Sequence, residues 1–309
     1  MRLFALLVAL IALVNPACAA PRVVVSILPV HSIVAAVMGN LGQPELLFQG
    51  RLSEHAASLS PRQLAALGHA DVVFMVGHGL EYKLGEVDGG EAVNGRHFIE
   101  LERAPGVTLL PIRQGAAWEP DADAPILPGS DQSGLVLRAD PHIWLDPANA
   151  ATMARAVAVE LGRIDAANAV AYGANAEAFA ASLTGLTQQI TAELAPLAAK
   201  RFIVFHDAYH YFERRFGLAA AGSISDVSAS QPSAARLKQI RDRLVATKAV
   251  CVFREPQFDD KYVRTIVEGT PARVGMLDGL GADLAPGPAA YAQLLRNLAT
   301  GFTACLSQP

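Results

Sequence analysis

Short apolar runs recur along the first third of the chain, each followed by a stretch of mixed helical pattern. Val23-Val24-Val25-Ser26-Ile27 comes first, then Glu45 to Phe48, Asp71 to Val76 and Val107 to Leu110. Runs of this length, rich in β-branched residues and bounded by Gly, Pro and Asn, predict four buried strands. Between them, Ser32 to Met38 reads as a helix ended by Gly39-Asn40. Ser60-Pro61 opens another, with serine as cap and proline in the first turn. Strands separated by helices predict βαβ units and a parallel sheet.

The middle of the chain changes pattern. Asp146-Pro147 starts a helix to about Leu161, and Asp165 starts another. From Ala166 to about Leu194 there is no proline, and Pro196 marks the stop. Roughly 30 helical residues make about 45 Å. No heptad seam runs along them, so the segment is expected to be a rigid connector rather than a coiled coil.

The second half resumes the alternation. Phe202 to Phe205, Ala219 to Ser223, Val250 to Phe253 and Val274 to Leu277 read as strands. His206 to Phe216 reads as a helix stopped by Gly217, and Pro232-Ser233 opens another. The expected architecture is α/β: two lobes, each a parallel sheet flanked by helices, joined by one long rigid helix. The divisions fall at 21–164, 165–196 and 197–309, and the lobes show no repeat of sequence.

Two segments stand outside this pattern. Arg2 is followed by an apolar run from Leu3 to Val14, then Asn15-Pro16 and Ala17-Cys18-Ala19-Ala20. A charged start, a short apolar core and small residues describe residues 1–20 as a signal peptide, cleaved near Ala19 or Ala20. The run is short of the roughly 20 residues a bilayer needs, so the mature chain is expected to be exported and soluble in the periplasm. Residues 113–139 hold three prolines, three glycines and scattered aspartates, and read as an exposed loop.

Composition narrows the function. The chain has 309 residues, 52% hydrophobic, with a net charge of −4. It carries no basic stripe and few aromatics, so nucleic acid is excluded as a partner, and no groove for a small organic substrate is apparent. After cleavage two cysteines remain, Cys251 in an apolar strand and Cys305 at the end of the amphipathic tail Tyr291 to Leu306. An oxidising compartment favours a bridge between them, and two buried thiols are the alternative.

Eight histidines are the candidate chemistry, and position separates three. His55 lies in the loop after the second strand, His206 follows the strand Phe202 to Phe205, and His142 precedes the helix capped by Asp146. In parallel α/β sheets ligands bind beyond the carboxyl ends of strands. Three imidazoles with one oxygen donor or water make a tetrahedral site that suits Zn²⁺. Glu54 and Asp278 are the candidate oxygen donors. His206 is also expected to open a helix, whose positive end favours the neutral ring that a metal requires.

These residues sit in stretches that resemble one family. They are Ser26-Ile27-Leu28-Pro29-Val30-His31-Ser32, Ser53-Glu54-His55 with Ser58-Leu59-Ser60-Pro61, Ala70-Asp71-Val72-Val73, His142-Ile143-Trp144-Leu145-Asp146-Pro147, Phe205-His206-Asp207-Ala208-Tyr209, Glu255-Pro256-Gln257-Phe258 and Leu277-Asp278. In that order they resemble the zinc-binding receptors of ABC zinc uptake systems. The resemblance implies a two-lobed fold with a long connecting helix, zinc ligands at His55, His142 and His206, and a shell completed by a carboxylate or water. It implies a disulfide between Cys251 and Cys305, Zn²⁺ as transported cargo, an ABC permease as membrane partner and a monomeric receptor without enzyme activity.

Manganese-binding relatives resemble the chain too, but carry a carboxylate where His206 stands and use the position of Asp278. Two departures stand out. The stretch 113–139 lacks the histidines that zinc receptors often carry there, and Ala56-Ala57 replaces a larger or polar pair after His55. The rival readings are a manganese or iron receptor of the same fold, an exported zinc hydrolase with Glu54 as its base, and an adhesin or metal buffer. His31 is expected near the first strand's exit, His210 on the face of His206, and His69, His78 and His97 at the surface. Glu255 is expected to make a structural hydrogen bond.

Overall fold

The computed structural model describes residues 20–52, 55, 58–84, 97–118 and 139–308. The expected signal segment up to Ala19, Glu54, Ala56-Ala57 and residues 119–138 of the expected loop lie outside the described residues.

Two four-stranded parallel sheets organise the chain. In the first, β1 (Val23–Val25), β2 (Glu45–Leu46), β3 (Val72–Met75) and β4 (His97–Glu100) take the order β2-β1-β3-β4. In the second, β5 (Phe202–Val204), β6 (Gly222–Ser223), β7 (Cys251–Arg254) and β8 (Arg273–Met276) take the order β6-β5-β7-β8. Of the inner strands, β1, β3 and β5 are buried along their whole length and β7 all but its last residue, as their apolar runs predict for sheets covered on both faces.

The fourth strand is not where the apolar run pointed. Val107 to Leu110 is irregular, and His97–Glu100 forms β4 instead. Val107 and Leu110 are apolar because they bury into the core. The backbone of Thr108 between them is satisfied by a side chain: its N–H donates to Asn149 Oδ1 at 2.8 Å, and its carbonyl accepts from Asn149 Nδ2 at 2.9 Å. β4 is an edge strand, and its half-exposed, polar-ended sequence gave no continuous apolar signal.

The helices begin and end largely where the sequence chemistry places them. Helix α1 (Leu28–Met38) starts four residues before the expected Ser32, with Pro29 in its first turn. Helix α2 (Pro61–His69) carries a capping box, Ser60 and Gln63 each accepting the other's backbone N–H. In α3 (Pro147–Ile164), Asp146 Oδ1 accepts from Ala148 N–H at 2.8 Å.

Helix α4 (Ala169–Leu194) has 26 residues, about 39 Å at 1.5 Å each, with a 3₁₀ turn at either end. Its buried face, from Tyr172 through Phe179, Leu183 and Ile190 to Leu194, keeps the three-and-four spacing of a core-facing helix. It packs against α1, α3 and the C-terminal helix α8 (Ala290–Leu306). Further helices are α5 (His210–Phe216), α6 (Ala234–Thr247) and α7 (Lys261–Val267). Gly217, at φ +69°, ends α5 in the left-handed conformation that glycine adopts without steric cost.

Cys251 and Cys305 are bonded, tying β7 to the last turn of α8. No helix among the described residues is long and apolar enough to cross a membrane.

Candidate metal centre

Loop geometry brings His55, His142 and His206 together. One ring nitrogen from each lies within 4.8 Å of the other two. His55 follows β2, His206 follows β5, and His142 opens the 3₁₀ turn Ile143–Leu145 before α3. His142 and His206 are fully buried, His55 partly. The ring planes are steeply inclined to one another, with centroids 5.1 to 5.8 Å apart.

Two rings are oriented by the same device. Asp140 Oδ1 accepts both the backbone N–H of His142 at 2.9 Å and its Nδ1–H at 2.7 Å. Glu255 Oε1 accepts the backbone N–H of His206 at 3.2 Å and its Nδ1–H at 2.9 Å. A carboxylate on Nδ1 places that proton there and leaves the Nε2 lone pair for the centre. The two Nε2 atoms stand 3.3 Å apart. Two ligands on one tetrahedral zinc, each about 2.05 Å from the ion, are separated by about 3.3 Å.

The supports are themselves held. The main-chain oxygen of Asp140 accepts from Tyr211 Oη at 2.8 Å, and that hydroxyl accepts from Leu110 N–H at 2.9 Å. Glu255 sits just beyond β7, beside β5, so sheet pairing fixes its distance to His206. Trp144 Nε1–H donates to Gly279 O at 2.8 Å, linking the His142 turn to the loop after β8.

His206 does not open a helix. It stands in the turn after β5, and α5 begins at His210. The ring's proton is therefore directed by Glu255 rather than by a helix end.

Asp278 lies outside the three-histidine group. Its Oδ1 accepts from Leu280 N–H at 3.1 Å, Gly281 N–H at 2.9 Å and Gln257 Nε2 at 3.1 Å, and its Oδ2 accepts from Ala282 N–H at 2.6 Å. These bonds shape the 278–282 turn. Further along that loop Asp283 meets Arg51, in the segment leading to His55, at 3.4 Å.

Among the other histidines, His31 is buried, with Nε2 3.0 Å from Pro44 O, and burial pulls its pKa below the ordinary histidine value. His210 places Nδ1 3.9 Å from Asp140 Oδ2 and is buried rather than set beside His206 on a helix face. His69 and His97 are exposed and His78 is half-buried.

Sequence reasoning did not find Asp140 as the support of His142, although it stands two residues before it. Glu255 was expected to make a structural hydrogen bond, and its partner turns out to be His206.

Comparison with known proteins agrees with this geometry. Residues 23–305 match the family described as zinc-uptake complex component A, periplasmic. The chain belongs to this family. It is 43% identical to the high-affinity zinc uptake system protein ZnuA of Brucella suis, over 93% of this chain and 92% of that protein. A crystal structure of ZnuA superposes with a TM-score of 0.76 at 30% identity, covering 93% of this chain and 99% of the other. A ZnuA deletion mutant with zinc bound gives 0.74 at 30% identity, covering 94% and 100%.

Proposed function

We propose that the chain is a periplasmic zinc receptor, which captures Zn²⁺ with His55, His142 and His206 and delivers it, as a monomer, to an ABC permease. The observation that supports this most directly is the 3.3 Å separation of the two carboxylate-backed Nε2 atoms. Two lone pairs facing each other at that distance repel, and a shared cation turns the repulsion into coordination. Zinc bound to a ZnuA relative supports the choice of cargo. Water or Glu54 fills the fourth position, because the carboxylate of Asp278 is committed to backbone amides.

The test is a competition titration of the chelator-stripped mature chain with Zn²⁺ and Mn²⁺, beside His55→Ala, His142→Ala and His206→Ala. One tight zinc per chain, weak manganese and a loss of at least a hundredfold in each variant are expected. A His206→Ala variant that binds zinc like the parent overturns the site. Tighter manganese than zinc would identify a receptor of the same fold with an oxygen-rich shell.

A further inference from the structure

The segment read as the start of an exposed loop is partly built into the second lobe. Residues 113–118 cross to the second sheet, where Trp118 N–H donates to Ala221 O and Ala116 O accepts from Ser223 N–H, both at 3.1 Å. Ala117 thus faces Gly222 in an antiparallel bridge and covers the edge strand β6. A Cβ on Gly222 would stand 2.1 Å from Ala116 O, so only glycine admits this close approach.

With Ala116 and Trp118, the strap buries the side chain of Arg113, of which 6% is left exposed. Its Nε donates to Asp207 Oδ1 at 2.9 Å and its Nη1 to Glu213 Oε2 at 3.0 Å, while Nη2 reaches both residues. The guanidinium lies 3.8 Å over the Trp118 ring, and Trp118 O in turn accepts from Arg243. Asp207 is the residue after His206, and the turn closes with Ala208 N–H donating to His206 O at 2.9 Å.

We infer that Arg113 is a positioning residue for the histidine site, fixing the His206–Asp207 peptide through Asp207 and making metal retention depend on the docked strap. The inference rests on the proposed function. Glu255 holds the ring and backbone N–H of His206 from one side, and Arg113 holds the next residue from the other. A metal site tolerates about half an ångström of displacement in a ligand. Without Arg113 the turn would keep the Glu255 contacts and the Ala208 N–H bond to His206 O, but the Asp207 side chain would lose the charged partner that ties it to the strap. Arginine is required because one planar fork must serve two carboxylates and stack on an indole.

Arg113→Met and Arg113→Lys are compared with the parent by three measurements. These are the visible absorption spectrum of the Co²⁺-loaded protein, the rate of zinc release to a chelator, and urea unfolding of the metal-free chain. Lysine keeps the positive charge between the carboxylates and gives a folded variant should the methionine variant not fold. Zinc release at least tenfold faster than the parent, with a weakened or shifted cobalt band, is the expected result in each folded variant. A purely structural role would lower the unfolding midpoint and leave the cobalt band and the release rate as in the parent, and that result overturns the inference. A parent that takes up neither zinc nor cobalt would instead fail the zinc-receptor reading, and is seen in the first titration before any variant is made.

Discussion

Glu255 holds the ring of His206 by Nδ1 at 2.9 Å while it also accepts that residue's backbone N–H. Asp140 does the same for His142. Each carboxylate thus fixes where a ring sits, which way it turns and which nitrogen carries the proton.

Replacing either carboxylate by its amide should therefore weaken zinc binding without removing a ligand. An amide can present its NH₂ to Nδ1 and move the ring proton to Nε2, into the site. Glu255→Gln and Asp140→Asn are each expected to lower zinc affinity about 10–100-fold. Competition against a zinc chelator measures it, and an unchanged affinity in both would deny the supports their orienting role.

Stability should fall as pH rises through neutrality. Glu81 is buried with its oxygens on Ser26 Oγ–H and on the N–H groups of Val76 and Gly77, and burial pushes its pKa up to about 7. Burial, reinforced by Glu100 and Glu81, pushes Glu102 up to about 8. Both carboxyls keep protons in the folded chain that the unfolded chain releases near pH 4.5. Their cost to folding is thus absent below that value, grows as pH rises, and is complete above about pH 8. Glu102→Gln should flatten this decline. Urea midpoints of the metal-free protein across the range would show it, and parallel curves for parent and variant would refute the assignment.

The disulfide closes a separation of 54 residues between Cys251 and Cys305. Chain-entropy reasoning gives about 4 kcal/mol for a loop of that size, with measured values usually about 2–4 kcal/mol. Cys251→Ser with Cys305→Ser should lose that much in urea unfolding and still bind zinc, since neither sulfur lies among the three histidines.

Trimming the loop should spare the site if its anchors are kept. Trp118 is bonded to Ala221, and Ala139 is paired with Pro111. Removing residues 123–134, which contain no histidine, is expected to change zinc affinity less than threefold by chelator competition. Extending the deletion back through Arg113 should cost at least tenfold.

Much of the fold was written locally. The β-branched runs of β1, β3 and β5, the Ser60-Pro61 and Asp146-Pro147 starts and the proline-free stretch to Leu194 each declare an element through their own side chains. His55 and His206 stood out in the sequence as strand exits of two parallel sheets, and His142 as the loop before the Asp146-capped helix. What was hidden depends on partners far along the chain. His206 and Glu255 are 49 residues apart, and Arg113 and Asp207 are 94. The strap at Ala116–Trp118 lies in a glycine- and proline-rich stretch whose composition speaks only for a loop. Its pairing is decided by an open sheet edge and by Gly222. β4 escaped for a related reason, since an edge strand need not be apolar throughout.

The last helix closes a space that the first helix opens. Tyr291, in the first turn of α8, donates its backbone N–H to Ser32 Oγ at 2.8 Å and its hydroxyl to Trp144 O at 2.7 Å. One continuous apolar cluster runs from Val23 to Leu306. During synthesis, then, α1 and α4 lack part of their covering until α8 has emerged from the ribosome. A nascent chain of this design stays incomplete until two residues 259 positions apart have met.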